Sequence, residues 1–203
     1  MNRALALARR QMGKVAPNPA VGCVIVKGGQ LIGEGATGYG GRPHAEEIAV
    51  VDAGEEVFGG EVFVTLAPCG QRTAGRPSCS HVLAEAKVAR LHAACEDPHP
   101  FAAHGLTYLT ASGVDTSLGL MRDEAQTVNC GFFKVIRTGL PWLAIDMDPS
   151  RYDRAFEPVP GEDHGVALKR LAREGVTRMF IRPDTKLAFE LTASGLVDEI
   201  VSP

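Results

Sequence analysis

Hydrophobic positions along the chain follow two periods. Near the start, Leu5, Ala8 and Met12 recur at helical spacing, so a helix is expected over Asn2 to Met12, with Asn2 as cap and Gly13 as stop. Ala16-Pro17-Asn18-Pro19 follows, and two prolines in four residues demand a rigid loop. Val21 to Val26 is a β-favouring run that Lys27-Gly28-Gly29 joins to Leu31-Ile32-Gly33-Glu34-Gly35, which reads as a hairpin. Helical spacing returns from His44 to about Ala53, just after Pro43. Beyond it the pattern alternates: strand at Glu61 to Leu66, helix at Ser80 to Lys87, strand at Val88 to Ala94, helix at His104 to Ser112, and a short strand after Gly113. One long amphipathic helix is expected from about Leu120 to Arg137, stopped by Gly139 and Pro141. Alternating strands and helices predict a layered α/β domain over residues 1–142. Residues 143–163 are polar, proline-rich and weakly patterned, as a linker is. Residues 164–203 then carry helix, strand, helix and strand, a small βα unit that cannot cover both faces of its own strands.

Composition narrows the class. The 203 residues are 45% hydrophobic and 22% charged, with 24 acidic against 21 basic side chains and a net charge of −3. That is a globular balance, and the small acidic excess speaks against a nucleic-acid partner. No apolar run approaches a membrane span and the N-terminal residues hold no signal-peptide core, so a cytoplasmic protein is expected. The five cysteines (23, 69, 79, 95 and 130) are odd in number and not closely repeated, which in a reducing compartment means metal binding, catalysis or burial.

Three short pieces carry the candidate chemistry. His44-Ala45-Glu46 opens a predicted helix, Pro68-Cys69 follows a predicted strand, and Cys79 stands at the start of the next helix. A catalytic zinc takes three protein ligands and keeps one position open, and one His with two Cys is an established set. His44, Cys69 and Cys79 supply it. On a regular helix His44 and Glu46 diverge by about 200°, so both cannot bind one metal. Glu46 is better placed as the general acid–base that takes a proton from activated water and returns it to a substrate nitrogen. The backbone at Ala45 and Cys69 is available to hold the reacting ring. Cys23, Cys95 and Cys130 lie in apolar surroundings and read as buried filler.

Taken together, Pro17-Asn18-Pro19-Ala20-Val21-Gly22-Cys23-Val24-Ile25-Val26, His44-Ala45-Glu46, Thr65-Leu66-Ala67-Pro68-Cys69 with Cys79, Asp97-Pro98 and Gly131-Phe132-Phe133 resemble the deaminase half of the bifunctional riboflavin-biosynthesis deaminase–reductases. The resemblance implies a three-layer α/β/α cytidine-deaminase-like fold with a central mixed sheet. It also implies hydrolytic deamination of 2,5-diamino-6-ribosylamino-4(3H)-pyrimidinone 5′-phosphate, with zinc on His44, Cys69 and Cys79, proton transfer by Glu46 and a substrate contact at Asn18. The chain departs from the family pattern in three places. Ala67 replaces a Glu, nine residues separate Cys69 from Cys79 where eight are expected, and the His-rich stretch of that loop is missing. Arg72 and Arg76, backed by Arg42, are the expected phosphate contacts.

The tail has its own likeness. Glu174-Gly175-Val176-Thr177 through Leu196-Val197-Asp198-Glu199-Ile200 resembles the end of the family's reductase half, with Arg182-Pro183-Asp184 where the reductase has Glu-Gly-Gly. A truncated remnant without reductase activity is expected, along with a homodimer and a separate reductase partner. Two other readings stand beside the leading one: a related base or nucleoside deaminase, and a degenerate scaffold in which zinc only holds the fold.

Overall fold

The structure, a computed structural model, describes residues 1–71 and 76–201, and of residue 101 the backbone. Two compact units emerge: Met1–Gln11 with Ala20–Val128, and Met12–Pro19 with Asn129–Pro203.

The first unit contains α1 (Asn2–Arg9), β1 (Gly22–Lys27), β2 (Gln30–Ala36), α2 (Ala45–Ala53), β3 (Glu61–Val64), α3 (Cys79–Glu85), β4 (Arg90–Ala93), α4 (Gly105–Ala111), β5 (Asp115–Leu118) and α5 (Arg122–Val128). Its strands form one mixed sheet in the order β2-β1-β3-β4-β5. β1 is antiparallel to β2 and to β3, whereas β3, β4 and β5 run parallel. The β1–β2 turn is Gly28-Gly29 with φ of 57° and 81°, a left-handed pair that the right-handed strand twist favours and that glycine adopts without strain. Each parallel step needs a crossover, supplied by α3 and then α4.

Two close approaches establish the layers. A Cβ on Gly22 would lie 1.9 Å from the Ala4 carbonyl oxygen, so α1 covers that face of β1. Its neighbour Cys23 points to the other face and pairs with Gly35, where a Cβ would lie 2.2 Å from the Ala45 oxygen of α2. Helices therefore cover both faces, and the expected three-layer α/β/α arrangement with a mixed sheet is present. α1 is shorter than expected: Met1 is its N-terminal flank, not Asn2, and it ends at Arg9.

The second unit contains α6 (Cys130–Thr138), β6 (Trp142–Ile145), β7 (Arg154–Ala155), α7 (His164–Arg173), β8 (Arg178–Ile181), α8 (Lys186–Ala193) and β9 (Glu199–Ile200). Its four strands are all parallel, in the order β7-β8-β6-β9. Leu143, Ile145, Phe156, Leu168, Leu171, Met179, Ile181 and Leu191 form its core.

Two expectations need correction here. The segment 143–163 is not a linker: β6 is an inner strand of the sheet, flanked by β8 and β9. Its four residues carry no partner signal because both neighbours come later in the chain. β7 is only two residues long and is pinned by Asp153, whose Oδ2 accepts from the Thr177 N–H at 2.7 Å, the Thr177 hydroxyl at 2.9 Å and the Arg178 N–H at 2.8 Å. The long helix expected from Leu120 to Arg137 is two helices, α5 and α6. Asn129 separates them at φ −107° and ψ 22°, and the boundary between the units falls there. The C-terminal part is thus a four-stranded parallel sheet with helices, more than a small βα remnant.

Candidate metal centre

His44, Cys69 and Cys79 come from three separate places in the first unit. His44 immediately precedes α2 with extended backbone (φ −74°, ψ 156°), and its N–H donates to Glu47 Oε2 at 2.7 Å. Cys69 lies on the loop beyond β3, where the Ala67 N–H donates to the Cys95 carbonyl at 2.8 Å. Cys79 is the first residue of α3, which Ser78 caps by accepting the His81 N–H at 3.3 Å.

The three donor atoms lie within 4.8 Å of one another. His44 Nδ1 is 3.2 Å from Cys79 Sγ and 3.9 Å from Cys69 Sγ. Tetrahedral zinc, with bonds of about 2.0 Å to nitrogen and 2.3 Å to sulfur, places such ligand pairs about 3.5–3.8 Å apart. The trio fits that ion. The local field suits thiolates too: the Cys79 N–H donates to Cys69 Sγ at 3.3 Å and the Ser80 N–H to the Cys69 carbonyl at 3.2 Å, both at the positive start of α3.

Glu46, in the first turn of α2, is 4% exposed, and its carboxyl lies beside the Cys79 side chain. Burial pushes its carboxyl above the usual range, with the His44 ring, a backbone hydrogen bond and the Cys79 contact acting in the opposite sense. The expected divergence of His44 from Glu46 does not apply. It assumed both were helical, whereas His44 precedes the helix with extended backbone and its ring reaches Cys79 Sγ at 3.2 Å.

Asp97, quoted so far only as part of the Asp97-Pro98 motif, lies near the metal centre. It follows β4 as Cys69 follows β3, at the carboxyl ends of adjacent parallel strands where α/β sheets gather ligands. Burial raises its carboxyl, the His99 N–H donates to it at 2.9 Å, and it feels the charges of Cys69 and His44.

The remaining expected residues are more scattered. Ala45 is fully buried as the first residue of α2. Arg42 and Arg76 are exposed, and Arg72 lies outside the described residues. Asn18 belongs to the Met12–Pro19 segment of the second unit, where its N–H donates to the Val15 carbonyl at 3.0 Å. Cys23 and Cys95 are buried; burial raises both thiols, Cys95 to about 12, and the latter donates to the Thr65 carbonyl. Cys130 is half-buried, its thiol pushed up to about 11 by burial.

Comparison with known proteins places this constellation. Residues 1–95 match the family described as the cytidine and deoxycytidylate deaminase zinc-binding region, and they contain all three ligands. The riboflavin biosynthesis protein RibD of Escherichia coli is 45% identical over 176 residues, which is 86% of this chain and 47% of that protein. RibD of Haemophilus influenzae is 42% identical over 72% of this chain and 40% of its own length. The chain therefore spans less than half the length of these relatives. By contrast, the diaminohydroxyphosphoribosylamino-pyrimidine deaminase of Buchnera aphidicola (subsp. Acyrthosiphon pisum) is 39% identical over 142 residues, 70% of this chain and 96% of that protein. Among solved structures, Acinetobacter baumannii RibD aligns with 98% of this chain and 83% of its own, at a TM-score of 0.84 and 23% identity, a likeness of fold. The Thermotoga maritima deaminase/reductase gives a TM-score of 0.85 over 96% of this chain and 82% of its own, at 20% identity. A relative matched along nearly its whole length, at an identity that carries more than fold, decides the assignment: this chain belongs to the family of the diaminohydroxyphosphoribosylaminopyrimidine deaminases.

Proposed function

We propose that the protein is a zinc-dependent hydrolase that deaminates 2,5-diamino-6-ribosylamino-4(3H)-pyrimidinone 5′-phosphate in riboflavin biosynthesis. Water adds its oxygen to the ring carbon, the carbon–amino bond breaks, and ammonia leaves. The observation that carries this reading is a buried carboxyl, Glu46, set beside the ligand trio, because a purely structural metal site has no use for a proton carrier there.

His44, Cys69 and Cys79 are the residues proposed to hold zinc, which when bound supplies the Lewis acidity that makes water a nucleophile near neutral pH. Glu46 accepts the proton that the water loses and delivers it to the departing nitrogen. Its buried place beside the ligands suits passing a proton between those two steps. The N–H groups at Ala45 and Cys69 are proposed to orient the ring, Asn18 to contact the substrate on the strength of its motif, and Arg72 and Arg76 to meet the phosphate.

The second unit is proposed to be non-catalytic. After β8 the chain reads Arg182-Pro183-Asp184, with Asp184 at φ 59°, and a proline followed by a side-chain-bearing residue does not offer the close backbone approach to a phosphate that two glycines give. A separate reductase, a homodimer and a cytoplasmic location complete the proposal. Among the described residues no helix is long and apolar enough to cross a membrane.

Ammonia release from the pyrimidine phosphate by the zinc-loaded protein tests the activity. Glu46→Gln is expected to lower kcat by about 10²–10⁴-fold while zinc content stays at that of the unaltered protein. Turnover that survives this substitution overturns the mechanism. Arg76→Glu is expected to raise KM for the phosphorylated substrate, and an unchanged KM removes Arg76 from the phosphate site.

A further inference from the structure

Zinc affinity at a site with two cysteine ligands depends on how firmly the loops bearing them are held. Here a single helix, α4, touches both. At its start, Gly105 lies so close to the Cys69 loop that a Cβ on it would be 1.9 Å from the Pro68 carbonyl oxygen, and one on Gly70 would be 2.1 Å from the Ala103 oxygen. One turn further on, Tyr108 stacks its ring on His81 of α3, with centroids 4.1 Å apart and planes at 20°. His81 also binds Ser78, the residue before Cys79. Its Nδ1 lies 3.0 Å from Ser78 Oγ, its backbone N–H donates to the same oxygen at 3.3 Å, and Ser80 Oγ shares a hydrogen bond with it at 2.9 Å. The start of α3 in turn meets the Cys69 loop through the Ser80 N–H and the Cys69 carbonyl.

We infer that Tyr108 and His81 are positioning residues for the two thiolates of the metal centre. The contact is a side-chain clamp that fixes the start of α3 on α4, while the backbone of α4 fixes the other cysteine. The effect of the two side chains is transmitted through Ser78 to the first turn of α3. Tyr108 is 37% exposed, and its stacked contact with His81 joins α4 to α3. Neither His81 nor Tyr108 belongs to the ligand trio, so the ligand motif does not show the clamp. The inference rests on the zinc reading given above.

The test uses the full chain, with zinc affinity measured by competition against a chromophoric chelator and site geometry read from the absorption of the cobalt-substituted protein. Tyr108→Ala and His81→Ala are each expected to weaken zinc binding by about 10–100-fold, the usual effect of losing an outer support, and to shift the thiolate-to-cobalt bands. Tyr108→Phe keeps the stacked ring and is expected to retain wild-type affinity and spectrum. So is Phe58→Ala, an aromatic truncation at a residue 60% exposed elsewhere in the same unit. Wild-type affinity and spectrum in both alanine variants overturn the positioning role, as does an equal loss in Tyr108→Phe or Phe58→Ala. Should Tyr108→Ala fail to fold, His81→Ala decides alone, since alanine is well suited to the helical position it would occupy. A wild-type protein that binds neither zinc nor cobalt overturns the zinc reading itself; one that binds both, with unaltered variants, overturns only the clamp.

Discussion

Gly105 shows how a single missing methyl group governs the centre. As the first residue of α4 it costs about 1 kcal/mol of helix propensity relative to alanine, so Gly105→Ala ought to stabilise the helix. The contact decides otherwise: the added Cβ would meet the backbone oxygen of Pro68 at 1.9 Å, and backbone cannot rotate away as a side chain can. The expected outcome is a net loss of about 1–3 kcal/mol in urea unfolding, with weaker zinc binding because the Cys69 loop must move. Of the site itself, the residue types were legible: His44, Glu46, Cys69 and Cys79 stand where a helix start, a strand end and a second helix start are readable from pattern. The direction of His44 relative to Glu46 was not, because it depends on the extended backbone at His44, which the helical pattern of Ala45 to Ala53 conceals. Asp97 was likewise visible only as part of a motif, since its closeness to Cys69 and His44 follows from β3 and β4 lying side by side.

Among the elements, β6 gives the clearest disagreement between pattern and place. Trp142-Leu143-Ala144-Ile145 is four residues long, with a polar and proline-containing stretch after it, and local reading ends a domain at Trp142 and takes the other three residues into a linker. In the sheet it pairs with β8 and β9, and Leu143 is fully buried. Leu143→Ala is therefore expected to destabilise the second unit by about 2–5 kcal/mol in denaturant unfolding, where a linker residue would cost almost nothing. Asp153 makes the same point for β7. Its carboxylate gathers three donors from Thr177 and Arg178, so Asp153→Ala leaves them without that acceptor and is expected to cost on the order of 1–3 kcal/mol, measured the same way.

For the molecule as a whole, pH and product chemistry supply the remaining expectations. Asp146 is 4% exposed, and although burial acts to raise its carboxyl, the Asp148 N–H, the Tyr152 hydroxyl and the Arg151 guanidinium together hold it below the usual aspartate range. A carboxyl lowered by folding contributes stability above its unfolded value, near 4, and that contribution disappears as pH falls through the folded value. Acid unfolding of the second unit is expected to lose part of its pH dependence in Asp146→Asn, and an unchanged acid profile removes this aspartate as a contributor. If the second unit is non-catalytic as proposed, the deaminated product is expected to accumulate unreduced, which mass spectrometry of the products checks. The sequence by itself determined the chemistry and the layered class: ligand-type residues at element boundaries, a glycine-turned hairpin and alternating strands and helices are local patterns, fixed by propensity and by the geometry of turns. Only the tertiary structure decided how those pieces meet. The parallel partners of β6, the crossing of Gly105 with Pro68, and the approach of His44 to Cys79 all join residues through contacts between elements, and such contacts are set by packing, which no local period encodes.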